Sequence, residues 1–203
     1  MVIKNLCFDH KGGFYHYRVN LPKIKLINEF PELLSYLDSL FSECPNKYFN
    51  SGPRGSCLKF PLNNLNLKEV RGHEISTLAR LGLMDSKERT AHTKVQCYML
   101  EKDNKTVAVE VPIWLEPDEI EFYEELFQTN EQLTGHIDLL RIEDEKIWVW
   151  DYKPNAQKEK FASTQVFFYA LMLSKRIGLP LDKFRCGYFD SNYTYVFNPN
   201  ESL

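Results

Sequence analysis

Two acids and a lysine carry the strongest chemical signal in this chain. Asp138 closes the run Gly135-His136-Ile137-Asp138, and thirteen residues later comes Asp151-Tyr152-Lys153. The segments flanking Asp144-Glu145 are apolar and read as strands over 132–142 and 146–152. With Asp144-Glu145 as a two-residue turn, the antiparallel register sets Asp138 opposite Asp151 and His136 opposite Lys153. Directly opposed residues have Cβ atoms about 4.5–5.5 Å apart. Two carboxylates that close repel each other. A hard divalent cation, Mg2+ or Mn2+, relieves the repulsion and leaves coordination sites for water and phosphate. Lys153 shares the face of Asp151 through the two-residue period of a strand. There an ammonium can orient water or meet charge developing at phosphorus. The set suits hydrolysis of a phosphodiester bond. Spacing alone leaves a plainer reading open, in which the acids cap strand ends and Lys153 is their salt-bridge partner. The turn also lacks the Asn-Gly or Asp-Gly usual in such hairpins, and a longer loop would shift the register.

The elements around these residues must hold them in place. Alternation puts Leu140, Ile142, Ile147 and Val149 on the face of the acids, and Ile137, Leu139, Trp148, Trp150 and Tyr152 on the other. Both faces are apolar, as in central strands covered on two sides. Residues 161–177 form a strongly apolar helix that stops at Gly178, and 184–189 with 193–197 close the chain as a strand pair. Upstream, 2–19 reads as a hairpin around Lys11-Gly12-Gly13. Residues 31–41 read as an amphipathic helix with Leu33, Leu34, Leu37 and Leu40, and Pro31 suits its first turn. Residues 44–66 are loop. A second helix is expected over 67–84, with Val70, Ile75, Leu78 and Leu81 inward. Strands are expected over 94–101 and 105–115, and an acidic helix over 117–128. This order predicts a mixed α/β domain, with an accessory region, 1–66, before a core, 67–203.

The chain has 203 residues, 43% hydrophobic and 14% aromatic, enough to bury a core. A net charge of -3 argues against a general polyanion binder but permits a local basic groove. Between residues 111 and 134 there are seven acids and no Lys or Arg, so that face should turn away from phosphates. No apolar run is long enough to span a bilayer, and residues 1–10 lack a signal-peptide pattern. The expectation is a cytoplasmic protein without a membrane partner. Five cysteines, an odd number without C-x-x-C, argue for free and mostly buried thiols over disulfides or a zinc knuckle.

The runs GHID, WVWDYK and QVFFY, in this order and spacing, resemble the PD-(D/E)XK nuclease superfamily, most closely its RecB-like branch. That branch carries G-x-[IV]-D, then a hydrophobic residue with D-Y-K, then Q-x-x-x-Y on the following helix. The resemblance covers roughly residues 107–190. It implies a restriction-endonuclease-like fold, a mixed central sheet flanked by helices. It implies Asp138 and Asp151 as metal ligands, the carbonyl of Tyr152 beside them, and Lys153 as the catalytic lysine. Gln165 and Tyr169 match the helix motif and share one helix face at i and i+4; without the motif, Tyr169 reads as a core aromatic. Family members add a helical histidine or glutamate to the metal site. Gly72-His73-Glu74 is the best match, with His73 first and Glu74 next, although a lone helical histidine is as readily structural. Glu110, in Glu110-Val111-Pro112, matches an acid on the preceding strand, or is a solvated strand glutamate.

Some features of the family are missing from the sequence. The Pro-Asp pair is absent, as are helicase motifs and the four-cysteine pattern of CRISPR-associated relatives, so no iron–sulfur cluster is expected. The resemblance implies a small stand-alone Mg2+- or Mn2+-dependent deoxyribonuclease acting in DNA repair or recombination, an exonuclease on single-stranded DNA or DNA ends. The alternatives are a structure- or sequence-specific endonuclease, or a non-catalytic DNA-binding scaffold. RNA stays open as a substrate, and so does a homo-oligomer. Lys158 and Lys160 are the expected phosphate contacts. Tyr15, Tyr17, Tyr48 and Phe49 are either stacking platforms for bases or packing in the accessory region.

Overall fold

A computed structural model describes residues 2–62 and 65–202; Met1, Leu203 and residues 63–64 of the expected loop lie outside the described residues. The chain opens with the expected hairpin, β1 (Ile3–His10) and β2 (Gly13–Asn20). Its turn residues Lys11 and Gly12 have φ of 52° and 75°, the left-handed pair that matches strand twist. Next come α1 (Pro31–Glu43), the short β3 (Lys68–Glu69), α2 (Glu74–Asp85), α3 (Ala91–Lys102) and β4 (Thr106–Leu115). The rest is α4 (Tyr123–Phe127), β5 (Leu133–Glu143), β6 (Lys146–Tyr152), α5 (Ala162–Ile177), β7 (Phe184–Phe189) and β8 (Thr194–Phe197). Among the described residues no helix is long and apolar enough to cross a membrane.

All eight strands form one sheet in the order β1-β2-β4-β5-β6-β7-β8-β3. Only β6 and β7 run parallel, because α5 crosses between them; the other neighbours are antiparallel. Helices α1 and α5 cover one face, and α2 and α3 cover the other. This is the mixed, helix-flanked sheet that the sequence predicts. The β5–β6 register runs from Glu143 opposite Lys146 to Leu139 opposite Trp150, as the two-residue turn requires. Asp144 and Glu145 have φ of 50° and 55°. The turn therefore takes its left-handed form without glycine, and the buried faces of Leu140, Ile147 and Val149 fix the register.

The alternation of β5 breaks beside Asp138. Ile137, expected on the face opposite Leu140, packs into the same core as Leu140. The β4–β5 ladder pairs Val109 with Leu139 and Val111 with Ile137, skipping the rung between. That rung holds Glu110, whose φ is 51°, and Asp138. A second irregularity, a register shift between Thr106 and Ala108, lies at the start of β4.

Other expectations are corrected. The helix expected over 67–84 starts only at Glu74: Lys68 and Glu69 pair with β8, and Gly72, at φ 68°, turns the chain. Val70 is therefore not a core contact of α2; its N–H donates to Thr194 O at 2.9 Å. Residues 94–101 are not a strand but most of α3. Thr90 caps this helix by accepting from Thr93 N at 3.1 Å, and its buried stripe is Val95, Gln96, Met99 and Leu100. Val95, Cys97 and Met99 alternate, but over so short a window that signal fits either period. The acidic helix over 117–128 reduces to a turn at Pro117–Glu119 and α4, which is bracketed by left-handed Phe122 and Gln128. Of the thiols, Cys186 is buried, but Cys7 and Cys57 are exposed.

A buried charge cluster joins the layers behind the sheet. Arg141 on β5 is fully buried. Its Nε donates to Asp103 Oδ2 at 2.9 Å and its Nη2 to Glu74 Oε1 at 2.6 Å, tying the start of α2 and the α3–β4 link to the sheet. Removing one partner of such a pair leaves the other charge uncompensated. Arg141→Ala is expected to lower unfolding stability in urea by about 3–5 kcal/mol. A loss under about 1 kcal/mol, the range of exposed pairs, would contradict this account.

Candidate active site

A cavity of about 220 Å³ opens where β4, β5 and β6 meet the start of α5, and Glu110, Asp138, Asp151, Lys153, Gln165 and Tyr169 all line it. Asp138 lies one rung beyond the last β5–β6 pair, and its Oδ2 accepts from Tyr152 N at 2.8 Å. Its Oδ1 accepts from Gln96 Nε2 at 3.4 Å. Asp151 Oδ1 accepts from Gln165 Nε2 at 3.0 Å. The same Gln165 nitrogen lies 3.0 Å from Tyr169 Oη. Lys153 Nζ stands 2.6 Å from Asp151 Oδ2 and is its ion-pair partner.

Close packing sets this geometry. The Tyr169 ring lies flat against two glycines. A Cβ on Gly135 would stand 2.4 Å from Tyr169 Cε1, and one on Gly55 would stand 2.6 Å from it. The glycine of the Gly135-His136-Ile137-Asp138 run is thus required by the aromatic ring that buttresses Gln165. Tyr169 is both a buried core aromatic and a partner of the site.

Burial and mutual repulsion dominate the electrostatics. Desolvation pushes the Asp151 carboxyl up to about 7, with Asp138 adding to the rise. Asp138 is raised by burial, against the pull of Lys153 and the Tyr152 amide. Glu110 is raised by burial and then by Asp138; its Oε1 accepts from Gln96 Nε2 at 2.7 Å. Burial alone would lower the Lys153 ammonium, but Asp151 and Asp138 outweigh it and hold it above its ordinary value. Three carboxyls converge on a cavity that contains one ammonium close to them.

These hard oxygen donors fit a divalent cation. The three raised carboxyls call for more positive charge than Lys153 provides. Among the described residues, no three His, Cys, Asp or Glu side chains meet as a ready-made ligand set. Tyr152, whose main-chain carbonyl the family resemblance adds to the metal shell, is not among the residues lining the cavity.

The structure does not bring His73 or Glu74 to this cavity. His73 caps α2, its Nδ1 accepting from Ile75 N at 3.2 Å, and its ring lies against Trp150. Glu74 is committed to Arg141 and Lys105. Two histidines line the cavity, His136 and, in the first turn of α3, His92. Its Nε2 lies 3.9 Å from Asp138 Oδ2, its ring stands edge-on to Tyr152, and burial keeps its pKa below the ordinary value. Gln96, one turn further on, joins it. The signal was present in Thr90-x-His92 with Gln96 four residues after the histidine. Reading 94–101 as a strand hid it.

His136 does not face Lys153. Its ring stacks on Tyr15 at 3.8 Å and 3°, and its Nε2 lies 2.9 Å from His10 Nδ1. Tyr17, Tyr48 and Phe49 serve as packing: Tyr17 donates to Leu37 O, Phe49 is buried against His10, and Tyr48 lies beside Trp114, whereas Tyr15 lines the cavity. Lys158 and Lys160 are exposed on the segment after β6, outside the cavity wall.

Compared with known families, residues 62–200 match the model of the PD-(D/E)XK nuclease superfamily. No curated protein matches the chain.

The raised Asp151 carboxyl has a consequence for stability. The folded state keeps a proton that the unfolded chain has already lost, so this contribution declines as pH rises through about 7. In EDTA, Asp151→Asn is therefore expected to be more stable than the parent. The gain should grow as pH rises to about 7, level off above it, and reach the order of a few kcal/mol. Mn2+ should raise the melting temperature of the parent and not of the variant. A variant less stable than the parent at pH 8 would contradict this reading.

Proposed function

Because this match spans well over half of the chain, which therefore belongs to the PD-(D/E)XK nuclease superfamily, we propose that the protein is a Mg2+- or Mn2+-dependent deoxyribonuclease. The superfamily implies a metal-dependent nuclease with DNA as its substrate. The observation that carries the finer reading is the pair of buried acids, Asp138 and Asp151, sharing one cavity with the Lys153 ammonium.

Asp138, Asp151 and the Tyr152 carbonyl would hold the ion, with Glu110 and His92 beside them. The ion supplies positive charge for the scissile phosphate and a more acidic water. Lys153, kept charged by its acids, orients that water or meets charge developing at phosphorus. Water adds to phosphorus and the P–O3′ bond breaks, leaving a 5′-phosphate and a 3′-hydroxyl. Gln165 fixes one oxygen of Asp151 and leaves the other towards Lys153. Gln96 spans Glu110 and Asp138 and keeps them from separating.

An exonuclease on single-stranded DNA or DNA ends is the finer reading, supported by the resemblance of the GHID, WVWDYK and QVFFY runs to the RecB-like branch. The RecB-like branch, a role in repair or recombination, and a cytoplasmic location belong to the same proposal. So does the division into a nuclease core, 67–203, and an accessory region, 1–66, whose hairpin extends the sheet. Lys158 and Lys160 are assigned to the strand outside the cavity.

Lys153→Ala is expected to lower cleavage of end-labelled single-stranded DNA by about 10³-fold or more while binding in EDTA persists. Closed circular DNA should stay intact under conditions that degrade linear DNA. A Lys153→Ala protein with near-normal turnover would end the mechanism, and nicked circles would replace the exonuclease with an endonuclease. His92→Ala should raise the Mn2+ concentration needed for half-maximal rate by about 10–100-fold. His73→Ala should leave that requirement where it is; the reverse pattern would restore His73 as the ligand.

A further inference from the structure

Arg54 stands in the wall of the cavity; the half-buried Arg18 and Arg185, which among the described residues also make no ion pair, lie away from it. Arg141 is paired with Asp103 and Glu74, and Arg176 with Glu116 and Glu119. Arg54 lines the same cavity as three carboxyls. Among the described residues, however, it makes no ion pair with any of them. Its guanidinium is instead held by neutral groups: Nη1 donates to Tyr15 Oη and Nη2 to His10 O at 2.7 Å. Its Cζ stands 5.3 Å from the centre of the Tyr15 ring, whose opposite support is the stacked His136.

The main chain around Arg54 is equally fixed. Arg54 bridges Thr134 in parallel fashion at the start of β5, and Thr134 N donates to Pro53 O at 3.0 Å. The next residue, Gly55, lies under Tyr169. Lys11, at the tip of the β1–β2 hairpin, bonds Ser51 O at 2.9 Å. A segment before the matched core thus delivers a rigid, planar cation to the wall of the site, without an internal counter-ion. Such a fork suits the oxygens of a phosphate.

We propose that Arg54 binds a DNA phosphate next to the one that is cut, so that the N-terminal region positions the strand over Asp138 and Asp151. This assignment rests on the nuclease reading. The phosphate is either an internal diester or the monoester at a strand end; both offer the same oxygens.

The test is binding of 3′-labelled single-stranded oligonucleotides, carrying a 5′-phosphate or a 5′-hydroxyl, in EDTA over a series of salt concentrations. Arg54→Gln is expected to raise Kd about tenfold and to flatten the slope of log K against log salt by about 0.7, the share of one single-strand phosphate. Arg54→Lys should keep the slope while binding several-fold more weakly. A loss equal on both oligonucleotides assigns an internal phosphate, and one confined to the 5′-phosphate assigns a strand end; either upholds the proposal. Unchanged affinity and slope in Arg54→Gln would overturn it, even if the parent cleaves DNA and Lys153→Ala does not. If the parent shows no Mn2+-dependent cleavage but Arg54→Gln still weakens binding, the nuclease reading fails and the phosphate site stands. Should Arg54→Gln fail to fold, Arg54→Lys decides: affinity equal to the parent would overturn the proposal.

Discussion

Three carboxyl groups and one ammonium occupy a cavity lined by buried side chains, and the fold is arranged around their mutual repulsion. Glu110, Asp138 and Asp151 come from three neighbouring strands, and burial raises all three above the ordinary carboxyl range. An apolar protein interior does not tolerate such a group without donors and counter-charge. The donors are a main-chain amide, Gln96 and Gln165, and the counter-charge is Lys153. Each of these comes from a different element, so the site is assembled only when β4, β5, β6, α3 and α5 are all in place. Burying three carboxyls together costs stability, an exchange common at functional sites.

The sheet itself shows where that cost is absorbed. The β4–β5 ladder shifts register between Thr106 and Ala108 and skips the rung of Glu110 with Asp138. A non-glycine residue in the left-handed region inside a strand is strained unless its surroundings over-determine it. Here Val109 and Val111 on either side are fully buried and hold the strand through the break. From Ala108 to Leu115 the pairing keeps one register on both sides of the acids.

Much of this was legible in the sequence. The β5–β6 register follows from a two-residue turn and two apolar faces, and it alone sets Asp138 beside Asp151. The helix carrying Gln165 and Tyr169 was marked by its apolar run and its terminal Gly178. What could not be read follows from tertiary context. Residues 94–101 alternate locally, yet Thr90 and the stripe of Val95, Gln96, Met99 and Leu100 make a helix, and the misreading concealed His92. His73 was chosen by its place in a motif, but a histidine before a helix serves equally well as an N-cap. The role of Gly135 depends on a ring thirty-four residues away, and the presence of Arg54 depends on a loop pairing with β5. Neither contact leaves a periodic trace.

The central claim is that one divalent ion bridges Asp138 and Asp151. The most direct measurement is anomalous scattering from crystals of the protein grown or soaked with Mn2+. The account predicts a peak about 2.1 Å from a carboxylate oxygen of each of the two residues. Absence of a peak between them at saturating Mn2+, or a peak at His73 and Glu74 instead, would contradict it.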